Sequence, residues 1–179
     1  MNRLIALVFL FFAPMASACP DAPDHSVAVN DLLQRIQDAP NEYQARLISN
    51  QLWALWADAP DEAAQAVLDR GMGKRRAFDL IGALEDFDRL IAYCPDYAEG
   101  YNQRAFVRFL QQDYDRALID LDRALALSPT HVAALTGKAL TLIGLGRNEE
   151  GQAVLRLAVN LNPWLPERNL LQTPKGKEL

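Results

Sequence analysis

A proline recurs at a constant interval through the second half of this chain. Pro95, Pro129 and Pro163 are evenly spaced, and each follows an amphipathic stretch, where proline often stands after the end of a helix. Intervals of about 20–50 residues are typical of repeat architectures, in which each unit buries its apolar surface against its neighbours. The even spacing therefore predicts a stack of short helical units.

Residues 98–129 give the clearest view of one unit. Two apolar stripes with helical spacing lie in this segment, separated by a polar turn at residues 111–113. The stripe of the second helix consists of Ala117, Leu118, Leu121, Ala124 and Leu125. Because a helix pair of this length cannot bury both stripes alone, we expect similar pairs on either side of it.

Three consecutive units resemble the tetratricopeptide repeat (TPR) family, of a bacterial exported type. The pattern positions of the middle unit are Tyr101, Ala105, Ala117, Leu121, Ala124 and Pro129. Those of the next unit are Leu135, Ala139, Leu142, Leu155, Ala158 and Pro163, and those of the preceding unit are Val67, Gly71, Ala83, Phe87 and Pro95. The resemblance implies an all-α fold, an α-solenoid of antiparallel helix pairs, with units at about 64–97, 98–131 and 132–163.

The rest of the chain is expected to flank these units. Residues 19–25 form a polar leader, and residues 26–60 resemble a divergent repeat that caps the N-terminal end of the solenoid formed by residues 61–163. Residues 164–179 are expected to form a C-terminal cap and a flexible tail. The expected N-cap residues are Ser26, Asp61, Asp79, Asp113 and Asn148.

The first 18 residues have the pattern of a secretory signal peptide. Arg3 precedes nine apolar residues at 4–12, and residues 16–18 read Ala-Ser-Ala, a cleavage site before Cys19. An uncleaved anchor is the alternative, although the run is much shorter than the roughly 20 residues that span a bilayer. Removing Arg3 changes the net charge from −5 to −6. This acidic chain has no basic stripe, so nucleic acid is not an expected partner.

The two cysteines, Cys19 and Cys94, leave three interpretations open. An exported chain enters an oxidising compartment, in which a Cys19–Cys94 disulfide is permitted. The Ala-Ser-Ala-Cys sequence also resembles a lipobox, so Cys19 could instead carry a lipid anchor, and only then is a membrane an expected partner. The third interpretation is a pair of unlinked thiols, because sequence alone does not fix pairing.

No pattern of residues indicates catalysis, a cofactor or a metal. His25 and His131 are the only histidines, and they lie apart from any cysteine cluster with metal-ligand spacing. The chain has neither a nucleophile motif nor a phosphate loop. We therefore expect a protein without enzymatic activity and without a bound cofactor.

The TPR resemblance implies that the first helix of each unit lines a concave peptide groove. The residues that it places there are Met72, Arg75, Arg76, Asn102, Phe106, Phe109, Thr136, Leu140 and Ile143. Only Asn102 and the two arginines could grip a carboxylate, and Phe106 and Phe109 are the expected anchors. Two further questions stay open: whether the N-terminal helices cover these rings, and whether Trp53 and Trp56 belong to the core or to a partner-binding patch.

The sequence thus predicts a non-enzymatic scaffold or adaptor in the periplasm that binds a protein or peptide through this groove. The alternatives are an envelope lipoprotein anchored at Cys19, an accessory subunit that modulates a catalytic partner, and a structural role through self-association.

Overall fold

The computed structural model describes residues 19–172, and within them it forms eight α-helices and one 3₁₀ turn, with no β-strand. The helices are α1 (Ser26–Gln37), α2 (Glu42–Trp56), α3 (Glu62–Arg76), α4 (Leu80–Tyr93), α5 (Ala98–Leu110), α6 (Tyr114–Leu127), α7 (Val132–Gly144) and α8 (Asn148–Leu161). The 3₁₀ turn is Pro166–Leu170. The predicted signal peptide and the end of the tail, residues 173–179, lie outside the described residues.

Helices α3 to α8 form three antiparallel pairs that pack against one another in chain order. Small residues allow the two helices of a pair to approach closely. At Gly71, for example, an added Cβ would lie 2.6 Å from Cε1 of Phe87, so the buried ring fits only against glycine. The prediction of an all-α solenoid of antiparallel helix pairs is confirmed.

The turn between the two helices of each pair has the same backbone conformation. Phe78, Gln112 and Gly146 stand at the same position of successive units, and their φ angles are 62°, 60° and 76°. In the first pair, Asp79 N donates to the carbonyl of Lys74 at 3.0 Å, which closes a Schellman-type helix end. Of these three turns, only the third has glycine, the residue that this left-handed conformation favours.

The N-cap residues in the structure agree only in part with those predicted from the sequence. Asp61 and Asp79 accept hydrogen bonds from backbone N–H groups at the start of α3 and α4. Asp113 stands at the N-cap but makes no capping hydrogen bond, because its carboxylate pairs with Arg116. The predictions for Ser26 and Asn148 are wrong by one residue, since each is the first residue of its helix.

Ion pairs join the two helices within a unit. Arg70 lies 2.8 Å from Asp86, and at the same positions of the next unit Arg104 lies 2.6 Å from Asp120. The third unit has Val154 at the position equivalent to these aspartates, so the pair is absent there. The pair therefore recurs in two of the three units.

Further ion pairs join neighbouring units. Arg104 also lies 2.7 Å from Asp88, and the equivalent Lys138 lies 2.6 Å from Asp122 of the preceding unit. These contacts and the pairs within units together form what we call the ion-pair ladder. The solenoid is therefore held by charge as well as by apolar packing.

Asp86 is the most buried acceptor of the ladder. Besides Arg70 it contacts Lys74, at 2.8 Å, and Arg89. Burial raises the pKa of this carboxyl, but the three cationic neighbours outweigh burial and hold its pKa well below the ordinary value of 3.8. Asp86 is therefore charged in the folded protein at neutral pH.

The N-terminal hairpin, α1 with α2, does not stack on α3 and α4 as a terminal repeat. Its apolar residues instead share one core cluster with Val132 and Leu161 of the last unit and with Trp164 and Leu165 beyond it. The ring of Trp56 stacks on His131 at a centroid distance of 4.3 Å. The prediction that residues 26–60 cap the N-terminal end is corrected: the hairpin reaches across to the C-terminal unit, because its apolar faces are buried there.

A disulfide joins Cys19 to Cys94, with the two Cα atoms 5.2 Å apart. The bond attaches the polar leader before α1 to the residue that ends α4. Of the three interpretations of the cysteines, the structure therefore contains the first. A sulfur atom in a disulfide cannot also carry the thioether-linked lipid of a lipoprotein.

Candidate functional site

A half-enclosed pocket of about 400 Å³ lies on the inner side of the helix pairs. Residues of α5 and α7 form most of its lining, and Arg75 of α3 contributes from one side. The remaining walls come from outside the repeats. They are Trp53 on the N-terminal hairpin and the segment Leu165, Pro166 and Glu167.

The lining is mainly apolar, and part of it is exposed to solvent. Phe106, Phe109 and Leu140 lie on helix faces that turn away from the ion-pair ladder and towards the pocket. Phe106 is 45% exposed and Trp53 is 37% exposed. Large apolar side chains that stay exposed inside a concavity are typical of a binding surface.

Arg75 brings a positive charge into this apolar lining. Its guanidinium carbon lies 4.5 Å from the centroid of the Phe106 ring, in cation–π contact. Within residues 19–172 it takes part in no ion pair or hydrogen bond of its side chain. Burial lowers the pKa of Arg75, and the nearby Glu99 carboxylate partly opposes that shift. Arg75 is therefore a half-buried cation that no carboxylate contacts among these residues.

A buried polar network supports one side of the pocket. The Glu99 carboxylate accepts hydrogen bonds from Asn102 at 3.0 Å, from Gln103, and from Nε2 of His131 at 2.8 Å. Nδ1 of His131 accepts from the backbone N–H of Ala134, so the proton of the neutral ring lies on Nε2. Glu99 is thereby satisfied by three donors, and the side chains of Asn102 and Gln103 are held in place.

Two polar atoms in the pocket lining have no such partner. Oε1 of Gln103 and Oγ1 of Thr141 are buried and make no hydrogen bond within residues 19–172, although both residues line the pocket. Buried polar atoms are satisfied in the great majority of cases. Both atoms are therefore exceptions, and both are closed to solvent beneath the pocket surface.

The structure brings together six of the nine residues that the sequence places in the groove. These six are Arg75, Asn102, Phe106, Phe109, Thr136 and Leu140. Met72, Arg76 and Ile143 do not line the pocket. Met72 is buried in the core between α3 and α4, Arg76 is exposed beyond the pocket, and Ile143 packs over Gly151.

Sequence reasoning did not find Thr141 or the wall at residues 165–167. Their positions depend on which way α7 turns and on where the chain runs after α8, which no local pattern reveals. The sequence left open whether the two tryptophans belong to the core or to a partner-binding patch. Trp53 forms part of the pocket wall, whereas Trp56 packs on His131. The hairpin therefore narrows the groove without covering Phe106.

Other kinds of site are not found in the part of the chain that the structure describes. No helix among residues 19–172 is long and apolar enough to cross a membrane. Over the same residues, no three His, Cys, Asp or Glu side chains are grouped so that they could hold a metal ion.

The fold defines a class of protein, the repeat proteins built as α-solenoids of helical hairpins. Within this class, a model of the tetratricopeptide repeat family matches residues 108–164 of this chain. A TPR repeat-containing protein of Rhizobium etli is 27% identical over 124 residues, which cover 68% of this chain and 59% of that protein. Human tetratricopeptide repeat protein 36 is 34% identical over 109 residues, which cover 61% of this chain and 53% of that protein. The chain thus spans little more than half the length of these relatives.

Solved structures share the fold at low identity. The first TPR of Spaghetti (RPAP3), bound to the HSP90 peptide SRMEEVD, has a TM-score of 0.59 and 19% identity, covering 60% of this chain and 86% of that one. The Arabidopsis OM64 TPR domain has a TM-score of 0.60 and 20% identity, covering 62% and 91%. MamA has a TM-score of 0.53 and 19% identity, covering 74% and 77%.

Proposed function

We propose that this chain is a non-enzymatic adaptor that binds a peptide segment of another protein through the pocket between α5 and α7. The observation that carries the proposal is the exposure of Phe106 and Trp53 inside a concavity. Aromatic side chains in such a position supply much of the energy of protein interfaces. The segment that fits is one with an apolar side chain that can be buried against both rings.

The likeness to TPR domains supports a peptide as the ligand. Among the structures with this fold, two TPR domains of Spaghetti (RPAP3) are bound to the HSP90 peptide SRMEEVD, and the TPR2B domain of yeast Sti1 is in a complex with pHsp70. Those likenesses concern the fold alone, so the proposal depends on the residues of this pocket.

We place the adaptor in the periplasm of a bacterium. The sequence of the first 18 residues, with its charged start, apolar run and Ala-Ser-Ala site, supports export. The Cys19–Cys94 disulfide supports an oxidising compartment. In this proposal the protein is soluble after cleavage before Cys19.

The proposal is tested by selecting peptides from a random library on the immobilised oxidised protein. Phe106→Ala should weaken the selected peptides at least tenfold, because it removes the main aromatic anchor. Ile119→Ala is the matched control, since Ile119 is a large exposed apolar residue outside the pocket. If both variants bind the peptides as the natural protein does, the pocket is not the peptide site.

A further inference from the structure

We propose that the outer face of α3 binds an amphipathic helix of a partner protein, one that carries an acidic side chain three residues before an aliphatic side chain. This inference concerns a surface outside the pocket and does not rest on the peptide adaptor proposed above. The surface consists of Ala63, Ala66, Val67 and Arg70, which lie on one side of α3 at helical spacing. We call it the open face.

In the second and third units, the preceding helix packs on the equivalent face. The residues equivalent to Ala66 are Gly100 and Ala134, which are both buried, whereas Ala66 is exposed. At Gly100, an added Cβ would lie 3.3 Å from Cγ1 of Ile91 on α4. Ala134 belongs to an apolar cluster against which Leu125 of α6 packs. Within residues 19–172, the open face is therefore a stacking surface on which no helix stacks.

Arg70 lies at the position from which the ladder joins neighbouring units. Its equivalents Arg104 and Lys138 each contact an aspartate of the preceding unit, Asp88 at 2.7 Å and Asp122 at 2.6 Å. Among the described residues, Arg70 contacts only the aspartate of its own unit. Its side chain is 49% exposed, against 17% for Arg104 and 27% for Lys138. A carboxylate on an incoming helix would therefore meet an exposed guanidinium, with which it forms charge-assisted hydrogen bonds.

The helices that fill the equivalent faces indicate the chemistry of the partner. Asp88 precedes Ile91 by three residues in α4, and Asp122 precedes Leu125 by three residues in α6. In both helices the acidic side chain contacts the cation of the next unit, and the aliphatic side chain packs on its small residue. The same two side chains on a partner helix would meet the corresponding two residues of the open face.

The helices of this chain that could stack there lack the acidic residue. The equivalent position in α2 is Ala54, and the only acidic residue of α2 is Glu42, at its first position. In α8, the last helix, the equivalent residue is Arg156. A second copy stacked end to end would place Arg156 against Arg70, and like charges repel. The charges therefore favour a different protein as the occupant.

A helical peptide with the sequence of α6, residues 114–127, tests the inference by titration calorimetry on the full oxidised protein. A hydrocarbon bridge between positions 119 and 123, which are exposed in α6, keeps the peptide helical, because free helices of this length are marginal in water. The bridged peptide should bind with a Kd on the order of 100 μM or tighter. The same peptide with Asp122→Asn should bind about fivefold or more weakly, because it lacks the charge that meets Arg70.

Variants of the protein assign the contacts. Ala66→Arg fills the open face and should weaken the peptide at least tenfold, whereas Ala153→Arg, at an exposed alanine of α8, should change its affinity less than about twofold through screened charge. Arg70→Gln should weaken the peptide about as much as Asp122→Asn does. The two changes together should cost no more than either alone, because they remove the same contact.

Three results would overturn the inference: no binding of the bridged peptide, equal binding of the Asp and Asn peptides, or equal effects of the variants at 66 and 153. Sedimentation that shows oligomers of the free protein, lost in Ala66→Arg, would assign the open face to a second copy instead. A peptide that loses affinity in Phe106→Ala and not in Ala66→Arg binds in the pocket, so the adaptor stands and the open face is wrong. If the bridged peptide binds as expected and no library peptide is selected at the pocket, the reverse holds.

Discussion

The ion-pair ladder and the pocket use the same kinds of residue on two sides of the same helices. In the ladder, Arg70, Arg104 and Lys138 each contact an aspartate within 2.8 Å. In the pocket, Arg75 contacts no carboxylate of the described residues, and Gln103 and Thr141 keep unsatisfied atoms. Charges with partners stabilise the packing of units, whereas Arg75 lies in the lining of the pocket. The contrast teaches that a charge in a repeat helix has to be judged by its partners.

The largest expected effect is the loss of the disulfide, which ties the leader before the N-terminal hairpin to the end of α4. Reducing Cys19–Cys94 should lower the free energy of unfolding by about 4 kcal/mol, because the bond closes a loop of 75 residues in the unfolded chain. Urea unfolding with and without reductant measures this difference. Cys19→Ser should reproduce it without reductant, and equal stability in both conditions would contradict the prediction.

The next effect concerns the ladder itself. Asp86→Asn keeps the side-chain shape but removes the charge that Arg70, Lys74 and Arg89 share. It should cost about 3 kcal/mol in urea unfolding, since breaking a buried charge cluster leaves its partners unsatisfied. Asp88→Asn is the matched control and should cost less than about 1 kcal/mol, because Asp88 is 58% exposed. Similar costs for both would remove the contrast between buried and exposed members.

Acid titration of the same pair gives a second measurement of this effect. The pKa of Asp86 is lower in the folded than in the unfolded chain. Its contribution to the free energy of unfolding is therefore complete above the unfolded-state pKa, near 3.8, and is lost as the pH falls towards the folded-state pKa. The difference in stability between natural protein and Asp86→Asn should therefore shrink below about pH 4. A difference that is constant from pH 7 to pH 2.5 would contradict the assigned shift.

The smallest effect expected lies at the turns between paired helices. Phe78 is 76% exposed and holds a φ of 62°, so Phe78→Gly should stabilise the protein by about 0.5–1 kcal/mol by relieving the left-handed conformation. Gly146→Ala, at the equivalent turn, should destabilise by a similar amount. Thermal unfolding of both variants measures the pair, and a loss of stability in Phe78→Gly would mean that this ring makes contacts worth more than the strain.

The repeat register was predictable because it depends on local spacing. Apolar residues at helical intervals, a proline at the end of each unit and aspartates before α3 and α4 are each visible in a short window of sequence. The TPR resemblance implied nine groove residues, and six of them line the pocket. Met72 and Ile143 lie elsewhere, since a position on the first helix of a unit faces either the pocket or the paired helix according to small rotations of that helix.

The sequence by itself determined the helix pairs, their order and the apolar faces that must be buried. Only the tertiary structure decided where the N-terminal hairpin lies, which of Lys74, Arg75 and Arg76 meets the pocket, and how Glu99 and His131 pair inside the core. The physical reason is the separation along the sequence of the residues that make each contact. Helix formation and stacking depend on residues a few positions apart, whereas Trp56 on His131 and Ser49 beside Asn162 are contacts between distant segments, chosen by the burial of whole surfaces.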